Sequence, residues 1–195
     1  SAIAVSCGAQ FTAVVLANGT VWTFGNNANG QLGIGVSGGT RQTPTQVTTM
    51  SSATAVACGG VYAVCLTSSG AVYSWGANNV GQLGIGNNST MLTPTQVFSA
   101  GCTYVAAGAD STAIVNGGVV YTCGNNANGQ LGIDVAGGTR NTPTQISYTQ
   151  IDTLDDRTCK KISVGHTHMV ALIGSAGDLW IWGSNANGQL GISVT

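Results

Sequence analysis

Apolar side chains alternate with small or polar ones over short runs, and a glycine-bearing turn closes each run. Period two over four to eight residues is the signature of a half-buried strand. Thr12–Leu16 and Ala63–Thr67 are such runs, and each is followed after a turn by a second one, Val21–Phe24 and Val72–Trp75. Val119–Cys123 and Leu179–Trp182 repeat the second run further on. The turns between partners carry Asn18-Gly19, Ser69-Gly70, Asn116-Gly117 and Ala176-Gly177. Asn-Gly between apolar runs predicts a tight antiparallel hairpin, with both turn residues at positive φ.

The hairpins belong to a longer repeat. Val5–Gly35, Val56–Gly86, Val105–Asp134 and Ile162–Ile192 are four versions of one unit. The glycine after the aromatic strand falls at Gly25, Gly76, Gly124 and Gly183, at spacings of 51, 48 and 59 residues. A period of about 50 marks a supersecondary unit repeated around a ring or along a solenoid. One repeat domain over 1–195 is expected, with blades near 1–50, 51–100, 101–150 and 151–195.

Two further blocks recur. The first is Gly30-Gln31-Leu32-Gly33, Gly81-Gln82-Leu83-Gly84, Gly129-Gln130-Leu131-Gly132 and Gly188-Gln189-Leu190-Gly191, each after an Asn-rich loop. It reads as a structural chain reversal: glycine permits the bends, Asn caps the turn, and Leu plugs inward. A phosphate cradle would need a following Lys and Ser/Thr, which are absent. The second block is Thr-Pro-Thr-Gln at Thr43–Gln46, Thr93–Gln96 and Thr142–Gln145, and it holds every proline of the chain. Proline before a short strand suits an edge, so Thr45–Val47 is expected as the outer rim of its unit. The fourth unit reaches Thr195 before such a block.

The pattern Trp75-Gly76-Ala77-Asn78-Asn79-Val80-Gly81-Gln82-Leu83-Gly84, nearly repeated in the other units, resembles the regulator of chromosome condensation repeat. The resemblance spans essentially the whole chain. It implies an all-β propeller with one four-stranded antiparallel blade per repeat, as a partial ring or a small closed one. The family ring usually has seven blades, and this chain carries four units. The family often places a histidine three residues after the first glycine of the unit. That site holds Phe11, Tyr62, Ser111 and His168, so only the fourth unit matches. The founding member's guanine-nucleotide exchange runs through charged and polar residues on one face, and none of these carries over.

Composition sharpens the functional expectation. Lys and Arg number 5, Asp and Glu 6, and the net charge is -1. A nucleic-acid partner needs a broad basic face, which five cations cannot build. No apolar run of about 18 residues is present to span a membrane as a helix. Ser1 fits removal of an initiator Met or trimming of a longer chain. The six cysteines contain no CxxC pair and read as small buried apolar residues formed in a reducing cytoplasm. His166 and His168 stand at i and i+2, on one face if both lie on a strand, without a third ligand that the sequence places beside them.

Most of the charge sits in one non-repeated stretch, residues 147–161, with Asp152, Asp155, Asp156, Arg157, Lys160 and Lys161. It is a candidate partner-contact loop. Arg41 and Arg140 hold equivalent places, Met91 the third, and are candidates for inter-subunit contact. Trp22 and Trp180 share one repeat position, Trp75 and Trp182 another, which points to packing between blades rather than to sugar binding. The expectation is a non-enzymatic interaction and assembly module, without cofactor or metal. Its partners are other protein subunits, copies of itself among them, and the uncharged surface suits a phage virion or bacterial surface assembly. A nucleotide-exchange or chromatin-type regulator and a surface adhesin are the alternatives.

Overall fold

The computed structural model describes residues 1–147 and 158–192. Four antiparallel sheets follow one another along the chain. Blade one is β1 (Ala2–Cys7), β2 (Phe11–Leu16), β3 (Val21–Asn26) and β4 (Thr40–Gln46). Blade two is β5 (Ala53–Cys58), β6 (Tyr62–Thr67), β7 (Val72–Gly76) and β8 (Met91–Phe98). Blade three is β9 (Cys102–Ala107), β10 (Ser111–Asn116), β11 (Val119–Asn125) and β12 (Thr139–Gln145). Blade four, among the described residues, has three strands: β13 (Cys159–Val164), β14 (His168–Ile173) and β15 (Asp178–Gly183). Strand order within each blade is sequence order, so every blade is a simple meander.

The predicted strands are all present, each slightly longer than the apolar run that announced it. The outer strands differ most. Thr45–Val47 was expected; β4 instead runs Thr40–Gln46 with Pro44 inside it. The pairing explains how. Thr23 faces Thr45 and Gly25 faces Arg41, so the ladder skips where the proline lies. The same skip occurs in blades two and three. A bulge removes the need for the missing N–H. In all three, a threonine hydroxyl bridges the proline: Thr45 to the Thr43 carbonyl, Thr95 to Thr93 and Thr144 to Thr142, at 3.2–3.4 Å.

The turn chemistry also departs from expectation. In blades one and two only the glycine is at positive φ, at 78° for Gly19 and 77° for Gly70. The Gly19 N–H bonds the Leu16 carbonyl, a tight turn that ends in a left-handed glycine. Blade three alone has two successive positive residues, and they are Gly117 and Gly118, after Asn116 rather than at it.

Inner strands line up around an axis: β1 packs on β5, β5 on β9, and β9 on β13. Each blade's hairpin turn reaches the next inner strand. The Gly19, Gly70 and Gly118 carbonyls accept the Ala53, Cys102 and Cys159 N–H groups. At the other end of the strands, Ala9 donates to Gly60 and Gly60 to Ala109. The result is a partial propeller.

Candidate protein-interaction surface

The chain builds its core three times, once at each junction between neighbouring blades. Each blade has a forward face and a backward face, because strand side chains alternate. At the first junction the forward face of blade one (Phe11, Ala13, Val15, Val21, Leu32) meets the backward face of blade two (Val56, Cys58, Ala63, Cys65, Trp75). Blades two and three, and three and four, meet through the same positions.

Polar locks hold the recurring Gly-Gln-Leu-Gly loop at each junction. Within a blade, Asn27 accepts the Leu32 N–H at 3.1 Å, and the Thr23 hydroxyl donates to the Leu32 carbonyl at 2.8 Å. Ser74 and Thr122 do the same to Leu83 and Leu131. Between blades, the loop's glutamine carbonyl is the acceptor. The Trp75 indole donates to Gln31 at 3.0 Å, and the Trp182 indole to Gln130 at 2.8 Å. In blade three, where Cys123 replaces the tryptophan, the Thr112 hydroxyl donates to Gln82 at 2.7 Å. Closeness demands the glycine: a Cβ on Gly33 would lie 2.7 Å from the Trp75 ring, and one on Gly132 2.8 Å from that of Trp182. The loop is therefore the structural reversal the sequence suggests, and it is also the socket for the next blade.

The aromatic at the histidine site of the family has a related use. Phe11, Tyr62 and His168 each lay a ring on the first glycine of their unit, Gly8, Gly59 and Gly165. The Tyr62 hydroxyl continues into blade three, donating to the Ser111 carbonyl at 2.7 Å. Burial pushes its ionisation well above the ordinary phenol value.

Two faces have no neighbouring blade among the described residues. The backward face of blade one presents Val5 (69% exposed) and Cys7, backed by Val14, Trp22 and Phe24. Val5 stands where Val56 is buried in blade two, and Cys7 where Cys58 is. The forward face of blade four presents Leu179 (62%) beside half-buried Val170, Leu172 and Ile181. Their exposed apolar side chains make these faces the candidate interaction surface.

The residues singled out in the sequence as candidate contacts are placed as follows. Arg41 and Arg140 are half-buried at equivalent places on β4 and β12, and each guanidinium bonds a neighbouring carbonyl, of Thr40 and of Thr139. Arg41 lines a shallow groove with Gln10, Phe24 and Gln42. Lys160 and Lys161 are exposed on β13, with the Lys160 ammonium on the Ser175 carbonyl at 2.7 Å. Asp152, Asp155, Asp156 and Arg157 lie outside the described residues. His166 sits in the bend before β14, so it does not share a strand face with His168. No cluster of three metal-ligating side chains occurs among the described residues. Five cysteines are buried and Cys7 is exposed. Burial raises the Cys58, Cys65 and Cys123 thiols to about 12, and Cys102 and Cys159 to about 11.

Val5 and Leu179 read as core residues in the sequence because their repeat equivalents are core, yet no blade covers them among the described residues.

Comparison with known proteins agrees with this geometry. The sequence profile of the regulator of chromosome condensation (RCC1) repeat matches residues 18–66, 69–115 and 117–172. The probable human E3 ubiquitin-protein ligase HERC3 is 31% identical over 193 residues, 98% of this chain and 18% of that protein. The mitochondrial RCC1 domain-containing protein RUG3 of Arabidopsis thaliana is 37% identical over 94 residues, 48% of this chain and 21% of that protein. The chain thus spans about a fifth of these curated relatives. Among solved structures, human WBSCR16 superposes with a TM-score of 0.83 at 25% identity, over 98% of this chain and 50% of that one. Saccharomyces cerevisiae Prp20p, described with its binding to Gsp1p and histones, superposes at 0.81 and 20% identity, over 100% of this chain and 48% of that one. Yeast RCC1 (Prp20) has also been solved bound to Kap60.

Proposed function

The chain belongs to the regulator of chromosome condensation (RCC1) repeat family, and from that premise we propose that it is a non-enzymatic protein–protein interaction module. Its contact surfaces are the two open blade faces. The carrying observation is positional: Val5 and Cys7 are exposed where Val56 and Cys58 are buried by a neighbouring blade. Apolar side chains already arranged to receive a blade favour a partner that covers them. A protein of the same fold, yeast RCC1 (Prp20), has been solved in complex with another protein, Kap60, which supports the same use. The module serves as a subunit of a larger assembly. A virion or surface structure suits a chain with 11 charges in 195 residues, which carries no broad field to steer nucleic acid.

Light scattering across a dilution series tests this. The expected mass exceeds the 19.5 kDa of one chain at tens of micromolar, or the chain binds an apolar-surface dye strongly. Val5→Asp should lower either signal. A monomer that ignores the dye at every concentration overturns the reading.

A further inference from the structure

A pocket of about 220 Å3 opens between blades one and two, beside the linker that joins them. Thr49, Ser51, Ser52, Thr67, Ser69 and Tyr73 are among its walls. The blades on both sides are complete four-stranded sheets, so built structure bounds it throughout. Five of the walls carry aliphatic hydroxyls, Tyr73 adds a ring and a phenol, and none carries a charge.

The second junction closes the corresponding place with a ring. Tyr73 and Tyr121 hold one repeat position, each paired with the glutamine of its own outer strand. Phe98 of blade two lies edge-on to Tyr121, with ring centres 5.6 Å apart. Blade one has Thr48 instead, directly after the same Thr-Pro-Thr-Gln-Val run. Its linker is also longer: five residues separate Val47 from Ala53, and four separate Val97 from Cys102. The longer linker is pinned. Ser52 takes a left-handed backbone, φ 59°, where the second linker has Gly101 at 83°. The Ser68 N–H donates to the Ser52 carbonyl at 2.8 Å, and a Cβ on Gly19 would lie 2.7 Å from the Ser52 Cα. A serine held there is strained, and such strain collects at ligand clamps and other functional places. On the opposite wall the Thr67 hydroxyl is committed, accepting the Ala71 N–H at 3.1 Å and meeting the Ser69 hydroxyl at 3.0 Å. The Thr49, Ser51 and Ser52 hydroxyls and the Tyr73 phenol have no partner among the described residues.

We propose that this pocket binds one pyranose ring of a neutral glycan. The proposal goes beyond the interaction reading and uses neither open blade face nor any tryptophan. Uncharged walls select the ligand class. A phosphate or carboxylate would find no cation among them, and a metal ion no carboxylate or imidazole. A sugar ring supplies what the walls can use. Its hydroxyls, each both donor and acceptor, match the unpartnered hydroxyls of Thr49, Ser51 and Ser52. Its C–H face suits the negative face of an aromatic ring, which Tyr73 provides. The volume lies below the range of about 300–1,000 Å3 that drug-sized ligands occupy, which limits the occupant to a single ring. A linker already fixed by its backbone bonds leaves little to order on binding.

The test is an NMR titration of the 195-residue chain with the methyl pyranosides of glucose, galactose, mannose and N-acetylglucosamine, with sialic acid as the charged control. At least one neutral ring should give saturable shifts of the Tyr73 ring and the 49–52 amides, with a Kd on the order of 1 mM. Thr48→Phe changes an exposed position and places beside Tyr73 the ring that Phe98 places beside Tyr121. It should weaken binding at least about tenfold, and so should Ser51→Leu, also at an exposed position. Unchanged spectra away from the pocket show that both variants fold. Three results overturn the proposal: no saturable shift with any neutral ring up to about 50 mM, tighter binding of sialic acid than of every neutral ring, or undiminished binding in both variants.

Discussion

Blade two and blade four are spelled from the same repeat, and they end up in different physical states. Trp75 is fully buried between blades one and two, whereas Trp182 makes the same bond and is only partly buried. Ser74 locks its Gly-Gln-Leu-Gly loop through a hydroxyl, whereas the equivalent Ile181 has none to offer. Among the described residues, blade two packs on both faces and blade four on one. Burial in this fold is therefore a property of neighbourhood. The same repeat position is buried where a neighbouring blade stands against it and exposed where none does among the described residues, as a nearest-neighbour description of repeat stability requires.

The comparison can be broken most forcefully at the shared tryptophan. Trp75→Ala should cost about 3–5 kcal/mol, because it empties the first junction and orphans the Gln31 carbonyl. Trp182→Ala should cost only about 1–2 kcal/mol. Urea unfolding of both variants measures the gap, and equal losses would mean that blade four is as enclosed as blade two.

A second contrast pits Cys7 against Cys58, which hold one repeat position. Cys7 is exposed, while burial holds the Cys58 thiol protonated up to about 12. Maleimide at pH 8 should label Cys7 at least about a hundredfold faster, with mass spectrometry locating the adduct. The linkage has a definite sign. Unfolded cysteine ionises near 9.0 and folded Cys58 only near 12, so the folded state binds more protons between those values. Stability should fall as pH rises through that window and should be unaffected by this group below it. Rapid labelling of Cys58 in the native chain would dissolve the contrast between open and stacked faces.

Glycines of the loop sharpen the comparison further. Gly33 and Gly191 share a left-handed backbone, φ 69° and 66°, but only Gly33 lies under a ring. Gly191→Ala should cost about 1–2 kcal/mol from backbone strain alone. Gly33→Ala should lose a further 1–3 kcal/mol or so from the clash with Trp75. Thermal melts of the pair isolate the packing part. Smallest of all, Ile181→Thr should restore the missing lock in blade four and slow amide exchange there by about fivefold, a gain near 1 kcal/mol. Faster exchange would show that the isoleucine's apolar contacts outweigh the hydroxyl bond.

Much of the fold was legible because its information is local. Alternation marked β2, β3, β6 and β7, and the Gly-Gln-Leu-Gly spacing marked the units. What escaped was non-local. The Trp75–Gln31 bond spans 44 residues and joins two units, so no single repeat displays it. The outer strands looked shorter than they are because Pro44 suggests an end, while a bulge lets the ladder resume beyond it. The Asn-Gly turn looked like a two-residue reversal, but in blades one and two glycine alone takes the left-handed conformation. For the candidate site, Arg41, Arg140 and Lys160 stood out because charge is rare, and each bonds a nearby carbonyl. A partial ring was expected, but which side chains it leaves exposed depends on what stands beside each blade, and residue type does not encode that.

Each socket carbonyl, of Gln31, Gln82 or Gln130, is answered by the very next unit and by nothing further away. The arrangement is thus blind to how many units the chain contains. A gene built this way can gain or lose a whole unit without spoiling a single junction that remains.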